Sequence, residues 1–329
     1  VTSNNGGKVL QTGRYYISTL SRNVGIIKQL AYDSSSTEYI GDKNFAQSDT
    51  NTNNINVTTQ VREPGMIYLD LSGSGKENLC TSSVWDSSNS VYWVACRSLN
   101  SSTKYVLYLL KVTTTGTVSY YPTDIGGGTN NNYHGYPGRQ GSLILDGSNL
   151  IVVGYRGKGI TTPVNTTSDY RPYIAKFAIN TNRTNNTTWS SSAISDFTTT
   201  DSGTSGNYYS DGGYIYRAVA VTKIGSSYYS VYTHISNGGF KVAKYDTNLS
   251  AQSSGFFSSL TFPSGTVGST PYAIPTSMTY NGSTLYIGGS VSQGTSLSCQ
   301  GSLCGGPGSV TQGSVLYGAV VAINSSTGA

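Results

Sequence analysis

The chain has 329 residues, 11% of them charged, with 20 Lys and Arg against 15 Asp and Glu for a net charge of +5. That length buries a sizeable core in one large β domain, and the thin positive charge, with no Lys/Arg cluster or basic helix, leaves no nucleic-acid footprint. No run of 18 apolar residues offers a transmembrane helix, and no charged-then-apolar leader precedes Val1, which reads as a mature N-terminus or as the cut end of a longer chain.

The texture favours strands. Twenty-seven tyrosines, 40 glycines and abundant Ser, Thr and Asn suit half-buried pleated strands and tight turns, and helix formers never cluster. In chain order one hairpin recurs five times: a short strand, a Gly/Ser/Asn turn, then an aromatic or aliphatic second strand. The second strands begin near Tyr15, Val91, Leu150, Tyr228 and Leu285, after the turns Gln11-Thr12-Gly13, Ser87-Ser88-Asn89, Asp146-Gly147-Ser148, Gly225-Ser226-Ser227 and Asn281-Gly282-Ser283. Such turns supply the positive φ a hairpin needs.

A third strand follows each copy, at IIKQLAYD, VLYLLKVT, YIAKFAIN, FKVAKYD and YGAVVAIN. Asp33, Asn180, Asp246 and Asn324 take matched turn positions, where Asx side chains cap their own backbone. Fourth strands are expected around Tyr39, Val118, Thr188 and Phe256. The fifth copy lacks one before Ala329, so either Val1 to Ser3 closes the ring or the chain continues.

The expected fold is all-β, a β-propeller of about five four-stranded antiparallel blades in a single domain over 1–329. The blades fall at approximately 1–45, 66–122, 139–190, 213–258 and 272–329. Asn/Thr/Ser-rich insertions occupy 41–64 and 181–213, and an extra hairpin around Met66 to Leu71 would make six blades.

Leu285-Tyr286-Ile287-Gly288-Gly289 resembles the second strand of a kelch-type blade, and Ala322-Ile323-Asn324-Ser325-Ser326-Thr327-Gly328 resembles the turn of quinoprotein-type repeats. The resemblance covers two blades and implies architecture alone. In composition, the chain also resembles cell-envelope, filament or virus-spike proteins of thermoacidophilic archaea.

Nine Asn-x-Ser/Thr sequons begin at Asn56, Asn100, Asn165, Asn182, Asn185, Asn186, Asn248, Asn281 and Asn324, mostly in expected loops and turns. The four cysteines form two local pairs, Cys80 with Cys96 and Cys299 with Cys304. They read as two disulfides of an extracellular protein, or else as four buried thiols in a reducing cytosol. With few carboxylates to protonate, the chain suits an acidic habitat.

Aligned on their turns, Arg139 and Arg217 each precede a turn glycine, Gly147 or Gly225, at the same offset, at the entry of innermost strands near a central channel. Cys80 and Ile274 take that position in two other blades. The segments leading into the arginines carry Tyr133 and Tyr136, and Tyr208, Tyr209 and Tyr214. Tyrosine joins an apolar face to a hydrogen-bonding tip, which suits sugars, and a guanidinium suits a carboxylate or sulfate. These seven residues are the candidate glycan site. Alternatively, the tyrosines cover the propeller's open end and the arginines bond loop carbonyls.

Catalytic signatures are sparse. Only His134 and His234 are present, in different blades, so no imidazole-rich metal centre forms, and no metal or cofactor is implied. Ser72-Gly73-Ser74-Gly75-Lys76 reads as a turn rather than a phosphate loop, because Asp70 replaces its first glycine and Glu77 its Mg-binding hydroxyl. The enzymatic alternative is a propeller-fold glycoside hydrolase of extracellular polysaccharide, drawing on Asp70, Glu77, Asp86, Asp124 or Asp211.

The expected role is therefore non-enzymatic: a structural or adhesive module of a cell envelope, filament or virion. Its expected partners are glycans or a surface receptor, with copies of itself or other surface subunits beside it.

Overall fold

The computed structural model describes residues 2–3, 7–17, 22–45, 65–71, 78–99, 105–125, 133–158, 170–196, 218–234, 239–252, 257–260, 272–293 and 315–325. These form five antiparallel sheets and no helix. The first holds β1 (Thr2–Ser3), β2 (Val9–Ile17), β3 (Arg22–Asp33), β4 (Glu38–Gly41) and β5 (Met66–Leu69), with β4 and β5 sharing the outer edge of β3. The second runs in order through β6 (Asn78–Asp86), β7 (Val91–Leu99), β8 (Tyr105–Thr113) and β9 (Val118–Pro122).

In the third sheet, β10 (Tyr133–Pro137) and β11 (Leu143–Asp146) both pair β12 (Asn149–Lys158), followed by β13 (Tyr170–Ala178) and β14 (Ala193–Asp196). The fourth is β15 (Ala218–Ile224), β16 (Ser227–His234), β17 (Gly239–Asp246) and β18 (Phe257–Leu260). The fifth is β19 (Tyr272–Asn281), β20 (Thr284–Gln293) and β21 (Val315–Asn324).

Period-two alternation places the core between sheets. In β7, Tyr92, Val94 and Cys96 pack with Leu10, Ile27 and Leu69 of the first sheet, while Val91, Trp93 and Ala95 pack with Leu150, Val152 and Phe177 of the third. In β12, Ile151 and Val153 turn instead toward Val221, Tyr228 and Tyr232 of the fourth. In β16, Tyr229 and Val231 reach Leu285, Ile287 and Ile323 of the fifth. Strands buried on both faces explain the continuous apolar runs VYWVAC and LIVV.

Polar links repeat across these interfaces. Lys111 and Lys176 hold matched positions in β8 and β13, opposite Trp93 and Ile151, and each donates to a turn carbonyl of the next sheet, at Thr181 and Thr247. Lys244 holds the same position in β17 and lies over the ring of Tyr229 at 5.6 Å, whose hydroxyl donates to Ser325 O at 3.0 Å. Sheets stacked face to face in chain order make this chain a β-propeller, of which the described residues form five antiparallel sheets.

Three details depart from the sequence reading. Gln11-Thr12-Gly13 lies inside β2, paired with Ile26 to Lys28. The turn sits upstream, where Gly7 has φ 73°, whereas Gly13 needs no positive φ. Thr2–Ser3 joins the first sheet, pairing Leu10 and Val9, so it does not complete the fifth. Thr188 precedes a bridge between Trp189 and Thr123, and the outer strand β14 starts only at Ala193. Carbonyls on the edge of β9, at Tyr120 and Pro122, accept from Asn186 N and Trp189 N and hold that segment to the neighbouring blade.

Candidate ligand-binding face

The two ends of the blades differ in kind. One end carries tight turns closed by their own side chains: Asp33 accepts from Ser35 N at 2.9 Å, Asn180 from Asn182 N at 3.0 Å and Asp246 from Asn248 N at 2.9 Å. Gly147, Gly225 and Gly282 there hold φ of 56°, 58° and 61°, so the β11–β12, β15–β16 and β19–β20 hairpins close through true turns. Asp86 closes a fourth, accepting from Ser88 N, Asn89 N and the Trp93 indole at 3.0 to 3.1 Å.

At the opposite end the second strands finish and the third strands begin. Below it lies an aromatic and cationic cluster between the second and third blades. The Arg97 guanidinium stands 4.9 Å from the Tyr105 ring centre and 5.1 Å from that of Tyr136. Tyr136 stacks on Tyr155 at 4.3 Å with an interplanar angle of 9°, and the two residues are cross-strand partners of β10 and β12. The Tyr173 hydroxyl donates to Tyr136 O at 3.1 Å, and burial raises the pKa of that phenol far above its usual value.

Gly154 makes this approach possible. A Cβ there would stand 1.9 Å from Tyr136 O, so only glycine lets β10 pass so close to β12.

Of the expected glycan residues, Tyr136 is buried at 7% exposure inside this cluster. Tyr133 lies in β10, and nothing is described of its side chain. Arg139 falls in the break between β10 and β11 rather than at the entry of the inner strand, because β10 extends that rank upstream. Its backbone N donates to Val219 O at 2.9 Å, tying the third blade to the fourth. Tyr208, Tyr209, Tyr214 and Arg217 lie outside the described residues. The cluster thus adds Arg97, Tyr105 and Tyr155, which turn alignment misses; the signal was a lone cation in the otherwise buried strand VYWVACRS.

Three of the candidate acids, Asp70, Asp86 and Asp124, are described. Asp70 is buried beside Asn78, whose amide points at it from 3.5 Å, at the start of β6. Asp86 ends the same strand, about 26 Å away at strand rise. Asp124 accepts from Ser191 N and Oγ at 3.0 Å on the outer side of the blade. Glu77 and Asp211 lie outside the described residues. Among the described residues no group of His, Cys, Asp and Glu is arranged to hold a metal ion.

Cys80 and Cys96 are cross-strand partners of β6 and β7 and form a disulfide; Cys299 and Cys304 lie outside the described residues. Among the sequon asparagines, Asn182, Asn186, Asn248 and Asn281 are exposed at the tight-turn end, and Asn185 and Asn324 are half-buried there. Asn56, Asn100 and Asn165 lie outside the described residues. No described helix is long and apolar enough to cross a membrane.

Comparison with known protein families finds no match, and neither does comparison with curated proteins. Among solved structures, the chain is similar to a subtype N10 neuraminidase-like protein of A/little yellow-shouldered bat/Guatemala/060/2010, at 10% identity and a TM-score of 0.37, over 90% of this chain and 79% of that one. A subtype N11 neuraminidase-like protein of A/flat-faced bat/Peru/033/2010 (H18N11) is similar at 10% identity and a TM-score of 0.36, over 93% and 71%. The propeller assignment rests on this chain's own strand pairing.

Proposed function

We propose that the chain is an extracellular, N-glycosylated surface module that binds a glycan or receptor, or packs structurally, on a cell envelope, filament or virion. The observation that carries this reading is the set of exposed sequons at Asn182, Asn186, Asn248 and Asn281, in or beside turns. The disulfide between Cys80 and Cys96 fits the same oxidising compartment. Low charge permits dense packing beside other surface subunits, because little like-charge repulsion opposes it.

Ligand engagement is assigned to Tyr133, Tyr136, Arg139, Tyr208, Tyr209, Tyr214 and Arg217, with Tyr136, buried and stacked on Tyr155, supporting the contacting groups from beneath. Tyrosine faces stack on pyranose rings, and guanidinium forks take up carboxylate or sulfate.

The test displays the secreted protein multivalently over immobilised neutral, carboxylated and sulfated oligosaccharides, since single glycan contacts are weak. Retention of one class, lost at least about tenfold in Tyr208→Ala, Tyr214→Ala or Arg217→Ala with unchanged melting, supports adhesion; a tenfold loss corresponds to about 1.4 kcal/mol. Retention of none argues for the purely structural role. Release of reducing ends from a polysaccharide would overturn the non-enzymatic reading in favour of a glycoside hydrolase.

A further inference from the structure

We infer that, of the overlapping sequons at Asn185 and Asn186, only Asn186 carries an N-linked saccharide, while Asn185 serves as a structural rung closing the edge of β9. The inference rests on the glycoprotein reading above. It deepens that reading by separating two asparagines that the sequence pattern treats alike.

The segment containing both residues lies along the outer strand of the neighbouring blade. Tyr120 in β9 is held twice: its N–H donates to Asn185 Oδ1 at 2.7 Å, and its carbonyl accepts from Asn186 N at 2.8 Å. Farther along the same edge, Trp189 N donates to Pro122 O at 2.8 Å. The Asn185 side chain thus does what a backbone carbonyl does in a ladder, leaving no bare edge at Tyr120. A saccharide on Asn185 Nδ2 would be attached to the same amide that makes this contact.

Asn186 is placed the other way. It is exposed, and its φ of 59° is a left-handed conformation that asparagine tolerates better than most residues. Thr187, which completes the sequon of Asn185, and Thr188, which completes that of Asn186, are both exposed, and the Thr187 hydroxyl is engaged in donating to Thr184 O at 2.6 Å.

In the transfer, Asn186 Nδ2 bonds to the anomeric carbon of a lipid-linked saccharide. The anomeric carbon–oxygen bond to the lipid phosphate breaks, the phosphate leaves with the bonding pair, and Nδ2 gives up one proton.

The test uses full-length protein from its native source or a eukaryotic secretory host. Peptides spanning 180–192 are fragmented by electron transfer, which localises a saccharide without releasing it. Expected are a saccharide mass on Asn186 and none on Asn185, loss of that mass in Asn186→Gln, and its retention in Asn185→Asp, which keeps the acceptor oxygen. Asn185→Ala is expected to keep the mass and melt at a lower temperature than Asn185→Asp. Mass on Asn185, or on neither residue while Asn248 or Asn281 is occupied, overturns the inference and leaves the glycoprotein reading intact. An unmodified chain at every sequon overturns both.

Discussion

At the residue scale, single positions decide whether blades meet. Gly154 is the sharpest case, because an added methyl would collide with the Tyr136 carbonyl and the Tyr173 hydroxyl at 1.9 and 2.9 Å. Gly154→Ala is expected to cost about 3 kcal/mol through forced displacement of β10, read as a lower midpoint in chemical denaturation. An unchanged midpoint would mean that β10 is not seated against β12. Nothing local in NLIVVGYRG distinguishes this glycine from a turn residue. Its requirement comes from Tyr136, far away in sequence, and so was illegible before the strands were paired. Arg97 was half-legible: a cation amid VYWVAC calls for a partner, but Tyr105 and Tyr136 lie on other strands.

At the element scale, the hairpin repeat was the readable unit. Turns at Asp146-Gly147, Gly225 and Asn281-Gly282 announce themselves by residues that accept positive φ, and the strands beside them alternate cleanly. The first sheet misled because Gly13 looks like a turn glycine and is a strand glycine opposite Ile26. The cysteine pair joins β6 to β7 across 16 positions of chain. By the chain-entropy estimate for a loop of that size, replacing both Cys80 and Cys96 by serine lowers stability by about 3 kcal/mol. Equilibrium denaturation of that variant checks it, and a loss below about 1 kcal/mol would assign the bond no such role.

At the scale of the whole molecule, the carboxylates and phenols of the interfaces set the pH range. Burial raises the carboxyls of Asp42, Asp86 and Asp146, but hydrogen bonds outweigh it, so each titrates below its ordinary value. The bonds come from Lys8, Asn44 and Gln29 for Asp42, and from Lys223 and Tyr228 for Asp146. A depressed folded pKa stabilises above the unfolded value of about 4 and is lost as pH falls through the folded one. Burial, with the nearby charge of Asp42, pushes the Tyr92 phenol up to about 12, and burial beside Tyr120 does the same for Tyr108. These raised groups stabilise fully below about pH 10 and lose their contribution as pH climbs toward 12. The melting temperature is therefore expected to hold level between about pH 5 and 9 and to fall at both ends, with Asp42→Asn and Asp146→Asn each flattening the acid limb. A steep decline already at pH 6 would contradict this.

What the sequence determined by itself is the class of fold and its repeat: apolar alternation, turn chemistry and scarce charge act locally, within one hairpin, and need no knowledge of neighbours. The local cysteine pair at Cys80 and Cys96 belongs to the same category, since adjacent strands of one hairpin bring it together. Only the tertiary structure decided which faces touch. It placed Tyr136 against Arg97 and Tyr155, sent Lys111 and Lys176 to turns of the following blade, and made Asn185 a rung on β9. Those contacts join residues separated by tens of positions, and their geometry is set by how successive sheets stack, which no local pattern encodes.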